Sequence, residues 1–92
     1  MAYIKIIMSN PLKLTSGTKY IVVKPFTDYD KNVHPVGETF TFSRTNFLPY
    51  EDGLTMHVFL DGNPRELICR FQWRAEQQAD LIENFTDYVT AV

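Results

Sequence analysis

The residues with the clearest capacity for acid–base or metal chemistry are two aspartates and a histidine in one polar stretch. Asp28, Asp30 and His34 lie close together in the sequence. An imidazole beside carboxylates can act as a general acid or base, or can bind a divalent cation. These residues give one functional hypothesis, a small hydrolase or metal-dependent enzyme, which requires the three side chains to converge in a concave pocket.

A zinc site is a second interpretation of the same residue types. It would draw on His34, His57, Cys69 and a loop aspartate, but no two of these residues have the short spacing typical of zinc ligands. His57 lies within an alternating apolar segment, which favours a partly exposed position in a sheet. The sequence therefore predicts neither a metal centre nor a cofactor.

The segment Asp28-x-Asp30-x-Asn32 begins like a calcium-binding loop. An EF-hand loop also needs glycine at its sixth position and glutamate at its twelfth, and those positions hold Val33 and Thr39. Asp and Asn favour turns without any metal, because their side chains bond to nearby backbone. We therefore interpret this segment as a turn.

Nucleophilic catalysis has little support in the sequence. Cys69 is the only cysteine, so no disulfide can form within the chain. It ends the apolar run that begins at Leu67, where a free thiol is typically a small buried hydrophobic group. The serines have no G-x-S-x-G context, and the dispersed glycines form no phosphate-binding loop. No catalytic residue is predicted.

Two polar segments, residues 26–37 and 45–53, are expected to be loops, and they combine aromatic and acidic side chains. Aromatic rings beside carboxylates suit recognition of a cationic or proline-rich peptide. We therefore favour a non-catalytic protein-interaction module over the enzyme. Phe26 and Phe47 are expected to plug the ends of a barrel. The predicted binding residues are Tyr29, Tyr50, Asp28, Asp30, Glu51 and Asp52.

Charge and hydropathy exclude several classes of partner. The net charge is −2, and the lysines and arginines are spread along the chain without clustering. A nucleic-acid-binding protein usually carries a basic patch, so no nucleic-acid partner is expected. No segment has the length of a membrane span or the pattern of a signal peptide. With one free cysteine, the chain is expected to be cytoplasmic, as a monomer or weak homodimer with a possible protein or peptide partner.

The remaining sequence predicts the elements that must position these residues within a single domain, 1–92. Residues 1–13 are an N-terminal arm or short strand at 3–8, and residues 14–73 form the β region. Within it, alternation over 54–60 and 66–73 flanks the turn sequence Asp61-Gly62, which predicts a hairpin. The 3.6-residue apolar periodicity over 75–89 predicts one amphipathic helix that covers the sheet.

These elements predict a mainly β, α+β fold. The expected architecture is a small bent antiparallel sheet or an SH3-like barrel with the C-terminal helix packed at one end. An open four-stranded sheet with the helix across one face is the alternative.

Several short motifs follow one another after Leu14. They are Gly17-x-x-Tyr20, Phe26-x-Asp28, His34-Pro35-x-Gly37-Glu38-x-Phe40, Asn46-Phe47-x-Pro49-Tyr50-Glu51-Asp52-Gly53-Leu54 and Gln78-x-x-x-Ile82-x-Asn84-x-x-x-Tyr88. This pattern resembles a family of small bacterial domains of unknown function, and residues 46–54 are its most specific part. The resemblance implies a free-standing domain and no particular activity, and residues 1–13 lie outside it.

Overall fold

The fold is an open antiparallel sheet with a short helical segment near its C-terminal end. The computed structural model describes residues 10–48 and 50–92, so the strand expected at 3–8 lies outside the described residues. In chain order the strands are β1 (Lys19–Val22), β2 (Phe26–Thr27), β3 (Val33–His34), β4 (Thr39–Leu48), β5 (Gly53–Leu60), β6 (Glu66–Gln72) and β7 (Val89–Ala91).

Five of these strands form the main sheet, in the order β6-β5-β4-β1-β7, and β2 pairs with β3 in a separate two-stranded sheet. The pairings are antiparallel. The predicted mainly β, α+β class is confirmed, and the main sheet is antiparallel and open, with five strands in place of the four of the alternative architecture. None of the helices in the described part of the chain is long and apolar enough to cross a membrane.

The predicted hairpin is present as β5 and β6. Its inward positions pair across the strands, with Leu54 opposite Phe71, Met56 opposite Cys69 and Val58 opposite Leu67. Leu54, Met56 and Phe71 are each 1% exposed. Because side chains alternate between the two faces of a strand, the same register directs Cys69 toward the core rather than toward solvent.

Strand β4 changes the face that it presents to the core part-way along its length. The pairing of β4 with β5 shifts register between Phe42 and Arg44, which leaves Ser43 as an extra residue in a bulge. Phe40 and Phe42 are buried before the bulge. After it, Phe47 is partly buried and packs against the core, where its ring meets that of Trp73 edge-on at 5.6 Å.

The two-stranded β2–β3 unit packs against β6 of the main sheet. The backbone N–H of Tyr29 donates to the carbonyl of Arg70 at 2.7 Å, and Phe26 is 5% exposed with its ring near Phe71 and Phe85. Phe26 is therefore buried, as expected, although the sheet that it packs on is open and not a barrel. This contact carries the polar 26–37 segment over the inward face of β6.

The predicted helix over 75–89 is much shorter in the structure. It comprises α1 (Ala79–Glu83), followed by a 3₁₀ turn at Phe85–Asp87 and then by β7. Helix formation stops because the backbone beyond it pairs with β1, in a register that sets Val22 opposite Val89. β-Branched residues favour that extended conformation over helix. The apolar stripe is still buried, through Ile82, Phe85 and Val89.

Candidate functional site

Among residues 10–48 and 50–92, Asp28 is the one charged side chain that is fully buried, at 4% exposure. Its Oδ1 accepts hydrogen bonds from the backbone N–H groups of Asp30 at 2.9 Å and Asn32 at 3.0 Å. The segment is thus a turn closed by its own aspartate, as the sequence predicts. These bonds fix the carboxylate and leave its second oxygen for another partner.

That partner is His34, whose imidazole is held between two carboxylates. Nε2 lies 2.9 Å from Oδ2 of Asp28, and Nδ1 lies 2.7 Å from Oε2 of Glu38. The Sγ atom of Cys69 lies 3.7 Å from the same Nε2. One ring nitrogen therefore faces both a buried carboxylate and a thiol, while the other nitrogen faces the second carboxylate.

Local backbone geometry places Glu38 opposite the histidine. The N–H of Glu38 donates to the carbonyl of Pro35, and Gly37 has a φ of +97°. This is the third position of a turn, where a positive φ suits glycine because a Cβ would be strained. The turn reverses the chain between β3 and β4, so His34 and Glu38 face each other. Phe26 stacks on the imidazole with ring centroids 4.7 Å apart.

The site stabilises the protonated imidazole. The contact with Cys69, followed by the hydrogen bonds to Asp28 and Glu38, raises the pKa of His34 from 6.5 to about 10, although partial burial acts in the opposite direction. At neutral pH and without a bound cation, His34 is therefore an imidazolium between two carboxylates.

These side chains line one end of a cavity of about 220 Å³. Its other walls are mostly apolar and come from β2, β4, β5 and β6. The apolar lining residues are Phe26, Phe40, Met56, Val58, Leu60, Leu67 and Ile68. The cavity therefore combines a polar end with apolar walls, which is the usual composition of a small-ligand site.

The donor atoms at the polar end suit a metal ion. One carboxylate oxygen of Asp28, one ring nitrogen of His34 and Sγ of Cys69 all lie within 4.8 Å of one another. Carboxylate, imidazole and thiolate are the ligand types that Zn²⁺ takes in proteins. The sequence predicted no metal centre, but these three side chains have the ligand types of a zinc site.

The structure separates the residues of the predicted enzyme site. Asp28 and His34 converge in the pocket, but Asp30 turns away and forms a two-point ion pair with Arg70, in which Nε donates to Oδ2 at 2.9 Å. The guanidinium beside it lowers the pKa of Asp30. His57 lies outside the cavity lining, with Nδ1 3.2 Å from Oε1 of Glu66.

The predicted interaction residues are spread over a different surface. The expected loop at 45–53 is largely strand, since β4 continues to Leu48 and β5 begins at Gly53. Tyr50 is 98% exposed and Tyr29 is 48% exposed. Tyr29 and Glu51 line a shallow groove of about 100 Å³ beside β6, and Tyr50 is not part of its lining. Asp52 is partly buried, with Oδ2 3.4 Å from Nε of Arg74. Asp28 belongs to the other site.

Sequence reasoning missed one member of the cluster, Glu38, and discounted another, Cys69, as a zinc ligand. Cys69 is buried, at 8% exposure, as expected of a hydrophobic thiol, but it also faces His34. Only the packing of the β2–β3 unit on β6 brings these residues together. Glu38 appeared within the His34-Pro35-x-Gly37-Glu38 motif, and the turn-forming Pro and Gly between the two residues were the available signal.

The fold and the site define the chain as a small open-sheet α+β domain with a carboxylate–imidazole–thiol cluster at the end of an apolar cavity. The chain belongs to the family described as Domain of unknown function (DUF3601), whose profile matches residues 3–92. The match includes most of the N-terminal arm that the sequence motifs left outside the family. None of the curated proteins compared with the chain matches it.

A solved structure has the same fold. It is an integron cassette protein from the mobile metagenome of Vibrio cholerae, with a TM-score of 0.82 and 27% sequence identity. The similarity covers 96% of each chain. The correspondence therefore extends over the whole domain.

Proposed function

We propose that this domain binds one divalent transition-metal ion of the zinc type through Asp28, His34 and Cys69. The observation that carries the proposal is the convergence of three different donor atoms within 4.8 Å at one end of a cavity. Tetrahedral Zn²⁺ with its usual bond lengths separates such donors by about 3.4–3.6 Å. The distances from Nε2 of His34, 2.9 Å to Asp28 and 3.7 Å to Cys69, lie on either side of that range.

The environment of the imidazole supports a cation at this point. A single proton on Nε2 can make one good hydrogen bond, yet both the Asp28 carboxylate and the Cys69 sulfur face that nitrogen. A divalent cation would interact with both groups at once. Metal binding would displace the proton, so affinity should fall at acid pH.

Glu38 supplies the support that a metal-binding histidine usually has. Its carboxylate lies 2.7 Å from Nδ1, the ring nitrogen that does not face the proposed ion. A carboxylate in that position fixes the tautomer and the orientation of the ring, and it makes the other nitrogen a stronger ligand. Glu38 is therefore proposed to orient His34 rather than to bind the metal.

Three protein ligands leave one coordination position open. Catalytic zinc sites have this arrangement, whereas structural zinc sites use four protein ligands. Here the three ligands also line the cavity, so the open position would face it. The metal-dependent enzyme expected from Asp28, Asp30 and His34 is thus proposed again with Cys69 in place of Asp30, and a metal-bound water is the group that would carry out hydrolysis.

A cysteine nucleophile is the competing assignment for the same residues. Cys69, His34 and Glu38 have the order of a thiol, a base and an orienting carboxylate. However, Oδ2 of Asp28 is closer to Nε2 than the sulfur is, so the ring nitrogen that should receive the thiol proton is already engaged. Rapid alkylation of Cys69 by iodoacetamide in EDTA, slowed by His34→Gln, would favour the nucleophile.

Calorimetric titration with Zn²⁺ tests the proposed metal centre. We expect one ion per chain, with binding lost in Asp28→Asn, His34→Gln and Cys69→Ser. Asp30→Asn and His57→Gln are matched controls of the same residue types outside the cluster, and they should bind normally. Glu38→Gln should weaken binding by about 10–100-fold.

Each variant is first shown to be folded by its free energy of unfolding in EDTA. The assignment of the metal centre would be wrong if the wild-type protein bound Zn²⁺ no better than Cys69→Ser does. It would also be wrong if the two control variants lost as much Zn²⁺ affinity as the ligand variants.

A protein or peptide partner on the tyrosine-bearing segments is a second proposal. Its support is the full exposure of Tyr50 and the position of Tyr29 beside a groove. Asp30 and Asp52 already contact arginines, so the rings and Glu51 would make most of the contact. Chemical-shift mapping with basic and proline-rich peptides tests it, and Tyr50→Ala should abolish any shifts. Light scattering would identify a second copy of the chain as the partner.

A further inference from the structure

We infer that the open position of the proposed metal centre binds the hydroxyl group of a short, unbranched aliphatic alcohol whose chain occupies the apolar cavity. This inference rests on the proposed function and names the class of ligand that the site would select. Two observations carry it, the charge of the polar end and the size and composition of the cavity walls.

The charge of the metal cluster determines which head group the ligand can have. A divalent cation bound by the Asp28 carboxylate and the Cys69 thiolate has no net charge left, and neutral His34 adds none. The Glu38 carboxylate on the far side of the imidazole makes the whole cluster negative. An anionic head group on the ligand would therefore be repelled by this negative cluster at close range in a poorly solvated site. A neutral oxygen donor avoids this repulsion, so an alcohol should bind better than the carboxylate of equal length.

The apolar walls and the volume of the cavity determine the polarity and the length of the ligand's chain. Phe40, Met56 and Val58 line the cavity and are at most 3% exposed, so a chain placed against them loses contact with water. Liquid water occupies about 30 Å³ per molecule, so about 220 Å³ has room for about seven non-hydrogen atoms. The volume therefore favours an alcohol of about six carbons.

Apolar side chains also form part of the exposed lining of the cavity, beside the exposed Asn32. Leu60, at the end of β5, is 36% exposed, and Ile68, on the edge strand β6, is 58% exposed. Both line the cavity. A chain that enters here passes along apolar surface before its head group reaches the cluster.

The test uses the domain loaded with Co²⁺, which takes tetrahedral sites similar to those of Zn²⁺ and has visible absorption bands that respond to a change of ligand. Primary alcohols of increasing length are titrated while the bands are recorded. Each added methylene should strengthen binding by about fourfold, until the chain fills the cavity near six carbons and the affinity stops rising. Carboxylates of matched length should bind at least about tenfold more weakly.

A pair of variants checks that the chain enters the cavity. Leu60→Trp narrows the mouth and should remove the dependence on chain length, with the cobalt spectrum of the ligand-free protein unchanged. Val23→Trp is the control, because Val23 is an exposed apolar residue that does not line the cavity. If Leu60→Trp does not fold, the wild-type chain-length series decides the question without it.

The outcomes distinguish a failure of the metal centre from a failure of the alcohol ligand alone. If Co²⁺ gives no sulfur-to-metal absorption, the metal centre itself is wrong. If that absorption is present but alcohols leave the bands unchanged, only the ligand inference is overturned. Equal affinity for alcohols and carboxylates, or affinity independent of chain length, would also overturn it.

Discussion

Removing the negative charge of Asp28 gives the sharpest stability test of the buried cluster. Asp28→Asn keeps an oxygen that can accept the backbone hydrogen bonds from Asp30 and Asn32, so the turn should survive. What is lost is the charged contact at 2.9 Å with the His34 imidazolium. A hydrogen bond between charged groups with one partner buried contributes about 1.5–3 kcal/mol.

A double-mutant cycle isolates that contact from other effects of the substitutions. We expect Asp28→Asn and His34→Gln, each alone and together, to give a coupling free energy of about 2 kcal/mol in EDTA at a pH below 6.5. Chemical denaturation provides the free energies of unfolding. The matched pair Asp30→Asn and Arg70→Gln tests an ion pair between the same turn and strand β6, and it should show much weaker coupling because both partners are exposed.

The coupling should depend on pH in a defined direction. The pKa of His34 is raised from 6.5 to about 10 by Cys69, Asp28 and Glu38. Because the folded pKa lies above the unfolded value, the stabilisation is complete below pH 6.5 and is lost as the pH rises through about 10. A coupling below about 0.5 kcal/mol at the lower pH, or the same coupling above pH 10 as below 6.5, would refute this description of the site.

Three further predictions concern other parts of the fold and the metal. Zn²⁺ at about 100 times its Kd should raise the free energy of unfolding by about 2.7 kcal/mol, and Cys69→Ala should abolish that increase while itself costing only about 1 kcal/mol in EDTA. Phe71→Ala should destabilise the domain by about 3–5 kcal/mol, since Phe71 is 1% exposed within the core. Gly37→Ala should cost about 1–2 kcal/mol because of the positive φ, and it should weaken Zn²⁺ binding by displacing Glu38. Denaturation curves and calorimetric titration measure all three effects.

Sequence patterns predicted correctly the strands that pair with a neighbour in the chain. Alternation from Leu54 to Leu60 and the Asp61-Gly62 turn were sufficient for the β5–β6 hairpin, because neighbouring strands joined by a tight turn leave few alternative registers. The segment after Glu83 was assigned to helix incorrectly. Its β pairing is with β1, more than 60 residues earlier in the chain, and helical periodicity carries no information about such a distant partner.

In the candidate site, too, the sequence identified residues that are close in the chain and did not identify contacts between distant ones. Asp28 and His34 were identified because they lie in one polar segment. Asp30 was wrongly grouped with them, since its side chain turns outward to Arg70. Cys69 was considered as a zinc ligand but interpreted as a buried hydrophobic thiol, because its position 35 residues after His34 hid the contact between them.

X-ray absorption at the zinc edge is the most direct test of the central claim, the ligand set of the metal. The Zn²⁺-loaded domain should show one sulfur neighbour at about 2.3 Å and about three nitrogen or oxygen neighbours near 2.0–2.1 Å. Cys69→Ser, which should bind Zn²⁺ only weakly, should show no sulfur neighbour even in excess Zn²⁺, and His57→Gln should leave the spectrum unchanged. A shell with no sulfur, or a spectrum that Cys69→Ser does not alter, would contradict the assignment of Asp28, His34 and Cys69 as the metal centre.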